Sequence, residues 1–145
     1  MEFGKLHVLL IHFPIALGLS AILADAIWLA LKKDFFRQAA LYCLVLAALS
    51  AIPAVVSGNM HRDNKTYLGQ SHEIAEKHET IAYCALAVLV AATVIRGIRK
   101  NRLEGPWLGV YAVATLAILI LITLTGFYGG QLTHGADHLR GLFGR

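Results

Sequence analysis

The sequence predicts an all-α integral membrane protein, an antiparallel four-helix bundle with both termini on the outer side, and three observations carry that expectation. Of the 145 residues, 57% are hydrophobic and only 15% charged, too few charges to cover a soluble core of this size. The apolar residues fall into four runs near the length of about 20 residues that an α-helix needs to cross a bilayer. The basic residues gather in the two short connections between runs, the pattern of a multi-pass protein. The same composition sets aside intrinsic disorder and nucleic-acid binding, since a net charge of +4 on so apolar a chain reports orientation before it reports an anionic partner.

The whole chain, 1–145, reads as one transmembrane domain with spans at about 6–31, 35–57, 78–97 and 106–128. The first is longer than a signal-peptide core and ends in Lys32-Lys33 without a small-residue cleavage pattern, so it is expected to be retained. Pro14 predicts that this helix either begins there or kinks, freeing a backbone carbonyl. The second span carries small residues four apart, Ala47 with Ala51 and Ser50 with Ala54, and the third carries Ala87 with Ala91; such faces let helices approach closely. The third is short unless its helix takes in His78 and Glu79. A polar segment from Gly58 to Glu79 joins spans two and three, and no internal repeat is evident from the residues.

Charge orients the bundle. Lys32, Lys33, Arg37, Arg96, Arg99, Lys100 and Arg102 face only Asp34 and Glu104 in the short connections, a net +5, whereas the opposite side balances to zero. The positive-inside rule therefore places the short connections in the cytoplasm and, in a bacterial inner membrane, the termini and the 58–79 segment in the periplasm. Trp28 and Trp107 then lie in the inner aromatic belt, and Tyr67 and Tyr128 in the outer one. Thr115, Thr123 and Thr125 are expected to bond back to their own helix. Cys43 and Cys84 lie in apolar runs with no CxxC spacing, and read as packing residues.

All seven histidines, His7, His12, His61, His72, His78, His134 and His138, map to the outer side. Sidedness alone is a weak signal, because that side holds most of the extramembrane residues. Context singles out three. His12 lies inside an apolar stretch, where an imidazole needs a partner. His78 opens the third span, and His134 follows Gly126, Gly129 and Gly130, glycines that let a backbone approach another helix or a flat ligand such as a porphyrin. These three are expected to converge on one outer-leaflet pocket. His7 and His12 project about 140° apart on a straight helix and cannot share an ion, whereas His134 and His138, four apart, can if that stretch is helical.

Paired neutral imidazoles without a thiolate fit b-type haem iron, or a copper or zinc ion. Zinc would ask for further ligands, and Glu73, Glu76, Glu79 and Asp137 are near in sequence. Asp25, near the inner end of the first span, is a candidate for proton uptake, for pairing with a basic residue of the inner connections, or for capping an adjacent helix. No nucleophile, base and orienter constellation and no phosphate-binding glycine loop is present, so no catalytic residue is assigned.

The residues resemble a bacterial family of four-helix membrane proteins of unknown function, marked by LHxLLxHFPIAL at the N-terminus, a glycine ending span two, a histidine opening span three, and GGxLTHGxDxL after span four. The chain has Leu6-His7-Val8-Leu9-Leu10-Ile11-His12-Phe13-Pro14-Ile15-Ala16-Leu17, Ser57-Gly58, Lys77-His78-Glu79, and Gly129 through Leu139 with Thr133-His134-Gly135. It departs from the family at His138, where an aromatic residue is usual. In that family the module stands alone or is joined to c-type cytochrome or Rieske iron–sulfur domains, which implies electron traffic at the outer face.

The expected function is a b-type haem electron-transfer component between a quinol pool and a periplasmic acceptor of the cytochrome c or Rieske kind. His12 with His78 or His134 would be the axial ligands, and His7 with His61 would serve a second haem. The rivals are a copper- or zinc-handling membrane protein and a non-catalytic subunit or assembly factor, homo-oligomeric or part of a larger membrane complex.

Overall fold

The computed structural model describes residues 3–63 and 70–134, which fold into four α-helices: α1 (Phe3–Leu31), α2 (Asp34–Asp63), α3 (Gln70–Ile98) and α4 (Pro106–His134). All four are long and apolar enough to cross a membrane. Each has 29 or 30 residues and, at 1.5 Å per residue, is about 44 Å long, more than the roughly 30 Å of bilayer hydrocarbon.

The surplus length lies mainly at one end. Much of the polar segment expected to connect the second and third spans is instead helix, with α2 running on to Asp63 and α3 starting at Gln70. Extending a formed helix gains a backbone hydrogen bond for each residue fixed, and side chains tie the two extensions together. Arg62 pairs with Glu79, and the Asn59 amide donates to the Tyr83 hydroxyl. Pro14 and Pro53 both lie within helices, so α1 starts well before its proline.

At the other end two capping motifs turn the chain. Lys32 adopts φ 54° and donates its N–H to Trp28 O at 2.7 Å, an αL cap that leaves two residues between α1 and α2. At the end of α3 the Lys100 N–H bonds to Gly97 O at 3.0 Å and the Asn101 N–H to Arg96 O at 2.7 Å, a Schellman motif. Lys100 and Asn101 have φ 48° and 58°. Lys32 and Arg99 stack over Trp28 and Trp107, with 5.7 Å and 5.4 Å to the ring centroids.

Helix α1 packs along α2 and α3 along α4, and the two hairpins meet chiefly through α2 and α3. Contact between α1 and α4 is slight. The core is built on small residues, with Ala21, Ala47 and Ala92 at 1% exposure or less beside Leu44, Leu89 and Ile118. Ala47, Ala51 and Ala54 are buried as expected, but Ala87 and Ala91 are exposed. They stand two residues either side of buried Leu89, hence about 160° around the helix from it. Cys43 packs against the core, whereas Cys84 is exposed rather than a packing residue. The three threonines bond back to carbonyls four residues earlier, as expected.

The short-loop end is closed by a buried polar cluster. Asp25, Arg96, Asn101 and Tyr111 are 6%, 0%, 4% and 5% exposed. Arg96 Nη1 donates to both Asp25 carboxylate oxygens and to the Tyr111 hydroxyl, each at 2.8 Å, and that hydroxyl donates to Asp25 Oδ2 at 2.7 Å. Nη2 donates to Arg37 O at 3.1 Å and Nε to Asn101 Oδ1 at 2.8 Å. One guanidinium therefore joins all four helices. Arg96 is a helix residue paired with Asp25, not a free charge of the α3–α4 connection, and without it the excess of basic residues at that end keeps its sign. Replacing Arg96 by Ala strands the Asp25 carboxylate and should cost about 3–5 kcal/mol. Adding Asp25→Asn to that variant should restore part of the loss, read by reversible unfolding in detergent micelles.

Candidate functional site

The opposite end of the bundle holds a partly open cavity of about 480 Å³, within the range of small-molecule sites. Its deep walls are apolar, with Ile15, Ala51, Leu86, Leu89 and Ile122, while His61, Arg62 and Glu79 are among the residues nearer its outer end. Two imidazoles project into it, His7 from α1 and His78 from α3, with ring centroids 6.4 Å apart and planes at 90°.

Each ring is held in the same way by the neighbouring helix. His7 Nδ1 lies 3.0 Å from Ala54 O and 3.2 Å from Ser57 Oγ, and His78 Nδ1 lies 3.1 Å from Thr125 O. A carbonyl oxygen only accepts, so Nδ1 carries the proton in both rings and donates it. Nε2 is left with its lone pair, the tautomer that metal-ligating histidines use, with the second nitrogen fixed by a backbone acceptor. Glycines make room for the rings. A Cβ on Gly58 would lie 3.0 Å from His7 Cε1, and one on Gly129 would lie 3.1 Å from His78 Cε1.

The correspondence is general. Adding 71 to any cavity-lining residue of α1 or α2 gives a cavity-lining residue of α3 or α4: His7 gives His78, Ala54 gives Thr125, and Gly58 gives Gly129. The same offset relates Asp25 to Arg96, the buried pair at the far end. The chain is thus two helical hairpins arranged about an approximate twofold axis along the bundle, a parallel repeat of the kind found in membrane transporters. The residues alone do not suggest a repeat, because outside the His7–His78 and Gly58–Gly129 pairs most side chains at this offset differ. One signal was available. His7 lies 25 residues before Lys32 and Gly58 lies 25 after Lys33; His78 lies 25 before Leu103 and Gly129 lies 25 after Glu104. Folding each hairpin at its turn puts each histidine level with its glycine.

Of the expected convergence of His12, His78 and His134, the structure places His78 at the cavity and His12 away from it, and it brings His7 against His78. His12 is exposed on α1, bonds through Nδ1 to Val8 O at 2.6 Å, and does not line the cavity. Five residues separate it from His7, so the turn of the helix that aims His7 inward aims His12 elsewhere. His61 lines the cavity. His72 is exposed and sits 3.2 Å from Glu76. His134 ends α4 with its side chain outside the described residues, as are Tyr67, Asp137 and His138, so the His134–His138 pairing lies outside them too. Asp25 stands at the other end of the bundle, in contact with Arg96 and Tyr111.

The family described as "Predicted membrane protein (DUF2231)" matches residues 5–137. No curated protein matches the chain, and no solved structure does.

Gly58→Ala and Gly129→Ala should each lower stability by about 1–3 kcal/mol through crowding of an imidazole. Gly126→Ala, where a Cβ meets nothing within 4 Å, should instead raise it by up to about 1 kcal/mol. Unfolding in detergent micelles measures all three.

Proposed function

We propose, for a chain that belongs to this family of predicted membrane proteins, that it is a b-type haem-binding electron-transfer protein of a bacterial inner membrane, in which His7 and His78 would hold the iron. The carrying observation is the pairing itself: two imidazoles from different helices, 6.4 Å between centroids, each with its Nδ1 proton held by a backbone carbonyl. Haem iron needs no more than two such protein ligands. Among the described residues no group of three or more His, Cys, Asp or Glu is placed to hold a metal ion by itself. Apolar walls and the open Cβ positions of Gly126 and Gly130 suit a flat macrocycle.

The bound haem would supply one-electron redox chemistry. The chain's own residues do the rest. Ala54 and Thr125 fix the imidazole tautomers through their carbonyls, Gly58 and Gly129 fix the ring positions, and the apolar floor at Leu86, Leu89 and Ile122 excludes water. Electrons would pass between a quinol pool and an acceptor on the histidine side, of the cytochrome c or Rieske kind. The basic short-loop end supports placing that side in the periplasm. Proton uptake is not assigned to Asp25, whose carboxylate is occupied by Arg96 and Tyr111.

Protein purified from haem-replete cells should show Soret and α bands in a reduced-minus-oxidised spectrum. His7→Ala and His78→Ala should each abolish or shift them, and His12→Ala should leave them unchanged. Absence of the bands in the unaltered protein overturns the reading. Stoichiometric copper or zinc without porphyrin, lost on His7→Ala, would make it a metal-handling protein instead. Stable co-purification with a larger complex and no cofactor would make it a subunit or assembly factor.

A further inference from the structure

The twofold arrangement of the cavity is broken at one place, and the break has a chemical character. Rotation about the axis exchanges the α2–α3 seam with the α4–α1 seam, yet α2 and α3 are in broad contact while α4 and α1 barely touch. On the closed seam Arg62 pairs with Glu79 and Asn59 bonds to Tyr83. The equivalent positions on the other seam are Thr133 with Val8 and Gly130 with His12, which cannot reproduce either contact. Val55 on the closed seam corresponds to Gly126, whose Cβ position faces open space. The two helices do approach at Gly18, where a Cβ would lie 3.0 Å from Ile122 Cδ1, at the depth of the cavity floor.

Three routes into the cavity can be compared. From the short-loop end the way is blocked by the apolar layer of Ala21, Leu44, Leu89, Ala92 and Ile118, and behind it by the Asp25–Arg96–Tyr111 cluster. At the histidine end an apolar molecule would pass the Arg62–Glu79 ion pair and leave the bilayer to do so. Between α1 and α4 it meets Val8, Ile11 and Gly126, and Val8 is 45% exposed while lining the cavity.

We infer that the α1–α4 seam is a lateral portal, through which a largely apolar ring molecule dissolved in the bilayer reaches His7 and His78. The inference rests on the shape of the cavity and holds whatever the occupant, haem included. It also gives the loss of symmetry a use. Two sealed seams would leave the cavity reachable only from water, and two open ones would divide the hairpins.

The test needs no identified ligand. In full-length protein with Cys43 and Cys84 replaced by Ala, Ala85→Cys places one thiol on the cavity wall. In liposomes the apolar reagent N-cyclohexylmaleimide should modify it much faster than a charged trimethylammonium thiosulfonate supplied in the water phase. Gly126→Phe should slow the apolar reagent by at least about tenfold, which corresponds to about 1.4 kcal/mol of added barrier. Val55→Phe, the same bulk on the symmetry-related wall, should slow it far less. If Gly126→Phe does not yield folded protein, Gly126→Val supplies only the side chain that Val55 already has and should slow the reagent in the same direction. Equal slowing by both Phe variants, no slowing by Gly126→Phe, or faster labelling by the charged reagent overturns the portal. A missing haem spectrum alongside a positive labelling result would remove the haem reading and leave the portal standing.

Discussion

Bilayer hydrocarbon offers no hydrogen-bonding partner, and the polar groups within these helices are arranged under that constraint. Arg96 is the sharpest case. A fully buried guanidinium has five N–H donors to satisfy, and Asp25, Tyr111, Asn101 and the Arg37 carbonyl together accept from all three of its nitrogens. Because the acceptors come from the three other helices and from the α3–α4 connection, the cluster fixes the register of all four helices at that end. The Schellman turn that ends α3 is part of the same device, since it carries Asn101 back against Arg96.

With one end fixed in this way, the other is free to be hollow. Buried alanines draw α1 and α2 together along much of their length, but at the histidine end two imidazoles and the glycines opposite them take the place of a packed core. The rings are held by carbonyls of the adjacent helix, which satisfies one nitrogen of each and leaves the other for an occupant. Polar closure at one end and an oriented, half-satisfied pair at the other are two answers to the same absence of water. The approximate twofold axis runs through both, with Asp25 facing Arg96 and His7 facing His78.

The fold was legible because its signals are additive along the chain. Four apolar runs, short basic connections and aromatic residues beside them each depend on local composition, and the helices extend past those runs only where polar residues continue the same backbone pattern. The site was legible in part. His61, His78 and the glycines at 126, 129 and 130 line the cavity, whereas depth in an apolar run singles out His12 ahead of His7, the histidine that faces His78. Depth along a helix says how badly an imidazole needs a partner; it does not say which way the side chain points. Five residues of helix turn separate the two histidines by about 140°, and His12 meets its need with the carbonyl of Val8 in its own helix.

The sequence by itself determined that this is a four-span membrane protein and which end carries the excess positive charge, because these follow from which residue types occur and in what order. Only the tertiary structure decided which histidines meet, that Asp25 and Arg96 form one buried pair, and that the hairpins repeat at an offset of 71 residues with one seam open. Those facts depend on the rotation of each helix about its own axis and on the heights at which two hairpins dock. Both are settled by interlocking side chains from distant parts of the chain, and no single stretch of sequence contains them.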